Sequence, residues 1–534
     1  MQGKIVQQQK IIKLSTIFVV GSLLGLGMYW YIENEDFLLN QKLAYIPDLY
    51  APLLFREVGQ TVPFLAALSA TTEEEKKNEP RAGTRIDAVP VLVYHGVVIK
   101  PEKPNVPLED FREHMFALKD AGWETVSLEE FQRFMKGGTQ LPEKSFLLTF
   151  DDGRKDNYYP VDPILRALDY EAVMFVITSQ SLGEKGQATH FYLSEKELKH
   201  MQSTGRWGIQ SHSKFAHEEI YPLDAEGEEG HFYSNLLWLP EEQRQETPAE
   251  FQARVLEDLE VSRSEIENSL GNSVSSIAFP FGDFGHNLFV DSNFEAAKSI
   301  LLLGAQEYYT YGFYQWWEGE GFTQNYADTD AFLIKRIEPN PSWTGEELVA
   351  VLDRGSGKVL PYSDTFQQDQ GWFSTWGSYD IIKASHELVL RANAQEAGAS
   401  VILDGSGAWK DYELSARVES PTRTGVFVWV RYQDNQNNAA CNFGEDFVHV
   451  EQVLNGNHRV IQGLRDITPI PRGEYEVSVR VQGRIVQCLI NGQVLVETRF
   501  LDIPLDRGGI GFKMWDEAVG KASLVVKQIN VKPL

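Results

Sequence analysis

From Val89 to about Gly357 the sequence alternates short apolar, β-rich runs with amphipathic helical stretches, and this alternation restricts the fold more than any other feature. The strand-like runs are Val91–Tyr94, Phe146–Phe150, Ala172–Ile177, Trp207–Gln210, Ile277–Phe281, Ile300–Gly304 and Phe332–Arg336. Between them, Phe111–Ala121 and Phe251–Leu270 have helical periodicity; in the second, Phe251, Val255, Leu259, Ile266 and Leu270 are spaced to share one face. Alternating strand and helix implies a parallel sheet, and seven such units predict a barrel rather than an open sheet. The barrel is assigned to residues 89–361. After about Tyr362 the pattern changes to alternating β-branched runs, Tyr412–Val418, Val426–Tyr432, Tyr475–Val481 and Ile485–Ile490, separated by turn signals such as Asn491-Gly492. Residues 362–534 therefore predict an all-β jelly-roll sandwich.

Ahead of the barrel, Leu14–Ile32 is apolar with only Ser and Thr as polar members, close to the ~20 residues that cross a bilayer. Lys4, Lys10 and Lys13 precede it, Glu33, Glu35 and Asp36 follow it, and Tyr29, Trp30 and Tyr31 sit at the interface position. Residues 1–32 are expected to be a short cytoplasmic tail and an uncleaved, single-pass anchor, with everything after it outside the cell membrane. Residues 33–88 read as a stalk and a polar linker. The formal net charge of -27 argues against a nucleic-acid partner. The two cysteines, Cys441 and Cys488, form no CxxC and exclude a zinc ribbon. Two buried free thiols is the preferred reading, with one disulfide as the alternative in an oxidising compartment.

Three segments carry chemistry, and each ends a strand-like run, where a barrel places its catalytic side chains. Thr149-Phe150-Asp151-Asp152-Gly153 offers two adjacent carboxylates, one able to bind a metal while the other stays free as a base. His212 and His217 lie five residues apart, a spacing that fits neither one helix face nor one strand face, so they converge only through a loop. Two imidazoles and one carboxylate, with positions left for water, is the pattern of a catalytic metal site. His95, after Val91–Tyr94, is a candidate general acid, although a lone His there is commonly a packing residue.

In this order the segments resemble the polysaccharide deacetylase family, the fourth carbohydrate esterase family, over about residues 89–357. The resemblance implies a distorted (β/α)7 barrel and a divalent metal, zinc, nickel, cobalt or iron. It assigns the general base to Asp151 and the metal ligands to Asp152, His212 and His217. The Tyr94-His95-Gly96 motif and the histidine spacing look most like the branch that deacetylates poly-β-1,6-N-acetylglucosamine, in which the early His, here His95, is the general acid. The family's third motif carries an Arg before Pro-Tyr, whereas this chain reads Ala278-Phe279-Pro280-Phe281-Gly282. Pro280 and Phe281 would line the oxyanion and substrate site, and the missing Arg leaves Arg336 as a candidate partner for Asp151. The implied reaction is N-deacetylation of an N-acetylglucosamine-containing exopolysaccharide or cell-wall glycan at the outer face of the membrane. An O-acetyl esterase and a catalytically silent matrix-binding protein are the alternatives.

The sandwich resembles concanavalin-like, laminin-G-like domains that accompany carbohydrate enzymes. Trp372, Trp376, Trp409, Trp429 and Trp515 could stack on sugar rings or fill the core, and Asp404, Asp411, Asp434 and Asp446 could hold calcium or be ordinary loop acids. Every catalytic candidate precedes Ser363, so the barrel is expected to hold a full site without the sandwich.

Overall fold

The computed structural model describes residues 86–534 apart from short loop stretches, the longest being 99–104 and 183–190. The apolar run 14–32 and most of the stalk lie outside the described residues, among which no helix is long and apolar enough to cross a membrane.

Seven parallel strands build the first half: β1 (Val91–Tyr94), β2 (Ser145–Phe150), β3 (Ala172–Val176), β4 (Trp207–Ser211), β5 (Ser276–Ala278), β6 (Tyr311–Gln315) and β7 (Leu333–Arg336). They lie side by side in sequence order, and the short strand Glu124–Thr125 adds to the start of β2. β7 returns to β1 through a single parallel bridge, Leu92–Ile337. There the Ile337 N–H donates to the Val91 carbonyl (2.7 Å) and the Val93 N–H to that of Ile337 (2.9 Å), so the barrel is nearly closed. Strands buried on both faces read as unbroken apolar runs, and all six residues of β2 are buried. Leu147, Phe175, Phe313 and Ile334 form one core cluster with Phe131 and Phe134 of helix Leu128–Met135. Gln132 of that helix donates to Ser275, just ahead of β5, which places the helix at the amino end and leaves the carboxyl end as the mouth.

The expected strand Ile300–Gly304 is instead part of helix Ala297–Tyr308, which buries Ala297, Leu301 and Ala305 at four-residue spacing and leaves Leu303 exposed. A short apolar run does not separate a strand from one helical turn. The sixth strand is Tyr311–Gln315. Its Gly312 lies against Phe279, where an added Cβ would sit 2.6 Å from the ring. β5 is also shorter than expected, ending at Ala278 before a tight turn over Pro280–Gly282.

The second half is two antiparallel sheets closing on one core. One sheet contains Tyr412–Glu419, Glu474–Gln482 and Ile485–Ile490; the other contains Trp372–Trp376, Gly398–Leu403, Gly509–Trp515, Gly425–Asp434, Asn437–Phe443, Phe447–Leu454 and Asn457–Arg465 in spatial order. Cys441 and Cys488 face each other across the core with Cα atoms 5.8 Å apart and form a disulfide between the sheets, which corrects the reading of two free thiols. Trp372, Trp409 and Trp429 are buried, Trp376 is half-buried, and only Trp515 of the five is exposed. The four acids nominated for calcium form no metal-holding group among the described residues, and Asp446 is exposed. Asp404 accepts from Thr323, Asp411 pairs with Arg431, and Asp434 caps its own turn at Gln436 and Asn437.

Barrel and sandwich share a cluster in which Phe322, from the segment between β6 and β7, packs with Phe373, Ile402, Trp429, Tyr432 and Ala440. A backbone bridge, Gly321–Asp434, closes the same contact.

Candidate active site

Three strand ends leave the sheet through a residue in the left-handed region: Asp152 (φ 72°) after β2, Ser213 (φ 69°) after β4 and Phe281 (φ 59°) after β5. A positive φ is uncommon for any side chain and costly for a bulky one, so these turns are held by their surroundings. Each turns the chain at the barrel mouth. Gly153 (φ 71°) continues the turn at Asp152, packed so tightly that an added Cβ would lie 3.0 Å from the Ser181 hydroxyl.

Asp152 Oδ1 lies 3.4 Å from His212 Nε2 and 3.3 Å from His217 Nε2. One donor atom from each residue falls within 4.8 Å of the others, and among the described residues this is the one such group of three. Asp152 Oδ1 is buried and, among the described residues, has no hydrogen-bond partner. A buried carboxylate oxygen left bare is costly unless a cation satisfies it, so the donor set fits a divalent metal with nitrogen and oxygen ligands. His212 donates from Nδ1 to the Ala278 carbonyl (2.8 Å), which leaves its Nε2 lone pair facing Asp152. Burial lowers the pKa of His217, favouring the neutral ring that ligates. Burial opposes ionisation of Asp152, but the two imidazoles outweigh it and hold its carboxyl well below the usual range.

The loop between the two histidines is fixed by Asp258 of helix Pro248–Leu270. Its carboxylate accepts from the backbone N–H of Phe215 (2.8 Å) and Lys214 (3.3 Å) and from the Tyr233 hydroxyl. The sequence reading missed Asp258, yet a signal existed: it is an acid on the stripe of Phe251, Val255, Leu259 and Ile266, the buried face of that helix.

Asp151 faces the other way. Both its oxygens accept from the Arg336 guanidinium at 2.6 Å, and both side chains are 1% exposed. Burial pushes this carboxyl up, but the Arg336 charge and hydrogen bonds, with His212 and His95, bring it below its ordinary value. Arg336, at the end of β7, thus stands where the missing motif arginine left a gap. His95 lies beside this pair, with Nε2 3.7 Å from Asp151 Oδ2 and Nδ1 2.8 Å from Glu338 Oε1. Burial pulls the imidazole down, but the Glu338 hydrogen bond and the charges of Asp151, Glu338 and Asp152 raise it to about 9. Glu338 also accepts from Gln315 at the end of β6. Glu338 was not foreseen, although Arg336 and Glu338 are two apart in extended chain and so share a face. Asn157 ties β1 to β2 by donating to the carbonyls of His95 and Asp151 (both 3.0 Å).

Phe281 closes the mouth on the metal side, its ring stacked on His217 (4.6 Å) and on His231 (4.5 Å), and His231 is held by Asp283 (2.7 Å). Pro280 is buried beneath this turn, and with no N–H it cannot donate to an oxyanion, so only Phe281 of the two nominated residues retains that capacity.

Residues 138–296 match the family model for polysaccharide deacetylase. The chain is 33% identical over 125 residues to a putative polysaccharide deacetylase, YxkH, of Bacillus subtilis, covering 23% of this chain and 42% of that protein. It is 22% identical over 334 residues to the poly-β-1,6-N-acetyl-D-glucosamine N-deacetylase of Escherichia coli, covering 60% of this chain and 47% of that protein. The Staphylococcus aureus protein of the same name is 26% identical over 178 residues, covering 33% of this chain and 54% of that protein. The chain thus spans about half the length of these relatives. Among solved structures, a de-N-acetylase from Aggregatibacter actinomycetemcomitans aligns with TM-score 0.41 and 23% identity, over 50% of this chain and all of that one.

Proposed function

We propose that this chain, which carries a polysaccharide deacetylase domain, hydrolyses N-acetyl groups on a polymer of N-acetylglucosamine at the outer face of a membrane. One observation carries the reading: the Asp152, His212, His217 donor set, the Asp151–Arg336 pair and the His95–Glu338 pair converge at one barrel mouth. The E. coli and S. aureus relatives, which are poly-β-1,6-N-acetyl-D-glucosamine N-deacetylases by name, support the substrate class.

Asp152, His212 and His217 would hold a divalent cation, zinc, nickel, cobalt or iron, which supplies Lewis acidity to the acetamide carbonyl and to water. Asp151 accepts the proton of the water that adds to the carbonyl carbon. Arg336 keeps that carboxylate ionised and fixes its direction. The backbone N–H of Phe281 is the donor assigned to the oxyanion. His95, protonated below about pH 9, delivers a proton to the departing nitrogen as the C–N bond breaks. Acetate leaves and the amine stays on the sugar, where it takes up a proton, so the polymer gains positive charge.

The decisive experiment measures acetate and amine released from poly-β-1,6-N-acetylglucosamine and from an O-acetylated xylan, with the protein stripped by chelator and then reloaded. Equal acetate and amine from the first polymer, lost on chelation and restored by metal, is expected. Release from the ester alone, or release indifferent to chelation, would overturn the reading.

The run 14–32 is, in the same proposal, an uncleaved anchor, and the Cys441–Cys488 disulfide supports placement in an oxidising compartment. The full chain should then pellet with membranes and resist carbonate, and recovery of a mature chain lacking residues 1–32 would contradict it.

A further inference from the structure

The sheet of the sandwich that docks against the barrel carries a cavity of about 270 Å³, lined by Trp376, Phe427, Trp429, Ser400, Asn438 and Lys513 among others. Three aromatic rings in one hollow, two of them half-buried, give flat apolar surface of the kind that stacks on a pyranose ring. Hydroxyl, amide and ammonium groups beside them supply donors and acceptors for ring hydroxyls and an acetamide. Lys513 Nζ lies over Trp376 (5.7 Å) and Phe427 (5.3 Å), and among the described residues it has no hydrogen bond or ion pair. Glu451, a buried lining residue of the same hollow, accepts from Asn442, His449 and His458. The hollow therefore holds an ammonium set over two ring faces, with a carboxylate nearby that three side chains already hydrogen-bond.

Its position matters as much as its chemistry. Trp429 lines the cavity and also packs in the cluster around Phe322 of the barrel. Asn435, another lining residue, follows Asp434, which is bridged to Gly321. Gly321 and Phe322 belong to the segment that leaves β6 at its mouth end, six and seven residues beyond Gln315, the partner of Glu338.

We propose that this cavity is a distal subsite that holds an N-acetylated pyranose of the same polymer whose acetyl group is removed at the barrel mouth. The proposal rests on the deacetylase reading for the polymer's identity. Acetylated sugar is specified because a deacetylated residue would bring its ammonium against Lys513. A polymer bound at both places gains effective concentration at the mouth, whereas a trisaccharide occupies only one.

The test compares the full chain with Trp376→Ala and Lys513→Met, the second keeping the aliphatic stem in place. Kinetics on trisaccharide and on long polymer are paired with retention of metal-stripped protein on immobilised polymer, before and after chemical deacetylation. Expected are a KM for polymer raised about tenfold in both variants, trisaccharide kcat/KM within twofold of the parent, and retention by acetylated polymer that weakens in both variants. If polymer and trisaccharide kinetics are both unchanged, or if both fall together, the subsite does not exist. Equal or stronger retention on deacetylated polymer overturns its chemistry. Failure of the deacetylase reading is separate, because the parent protein would then release no acetate from either substrate.

Discussion

Asp151 and Asp152 are adjacent in sequence but point to different partners, Asp151 to a buried guanidinium and Asp152 to two imidazoles. Replacing Asp152 or His212 with Ala should remove metal and activity together while the barrel stays folded, as elemental analysis and circular dichroism would show. Asp151→Asn should keep the metal and lower turnover about 10²- to 10⁴-fold. It should also lower stability by about 3 kcal/mol, because Arg336 is left buried without its counter-charge; full metal loss would mean the two roles are exchanged. Glu338 gives a second test. His95 sits at about 9, so the acid form is present below that pH and is lost as pH rises through it. In Glu338→Gln the downward pull of burial loses its main opponent, so the alkaline limb of kcat on a soluble trisaccharide should move to lower pH. An unmoved limb would remove His95 from the acid role.

Helix Pro248–Leu270 begins in a capping box, Thr247 with Glu250, and runs along the barrel with one acid, Asp258, on its buried face. That acid does for the His212–His217 loop what a cap does for a helix, accepting backbone N–H groups that would otherwise be unpaired. Asp258→Ala should leave the helix formed but loosen the loop, lowering metal affinity about 10- to 100-fold in a competition titration. Unchanged affinity would show that the loop is held by packing alone. The element scale also explains the misread sixth strand. Ile300–Gly304 is a helical turn whose apolar residues happen to be contiguous, and only the neighbouring β5 and β7 reveal that Tyr311–Gln315 completes the sheet.

For the whole molecule, the sandwich does more than follow the barrel. Phe322 is 2% exposed, enclosed by Tyr432 and Trp429, and lies on the segment that starts at Gln315. Cutting the chain after Pro361 would bare that cluster, although every residue assigned to catalysis remains. The truncated barrel should melt at lower temperature than the full chain and lose turnover even on trisaccharide, because the segment that steadies Gln315 and Glu338 has lost its cover. A truncated barrel with full trisaccharide activity and unchanged melting would restore the sequence expectation that the barrel is self-sufficient.

Local order was readable from sequence because it depends on near neighbours. Strand and helix periodicity, the change of pattern near Tyr362, and the placing of Asp151-Asp152 and of His212 and His217 each after a strand follow from spacing within one segment, while the joining of the two into one ligand set came from the family resemblance. Contacts between distant segments were not readable from spacing, because chain separation says nothing about which ends meet; Arg336 was a candidate for Asp151 only through the arginine missing from the motif that the resemblance implies. Arg336 reaches Asp151 across 185 residues, Glu338 reaches His95 across 243, and Cys441 pairs with Cys488 only because two sheets face each other. Barrel closure decides the first two, since joining β7 to β1 brings the last strand end beside the first.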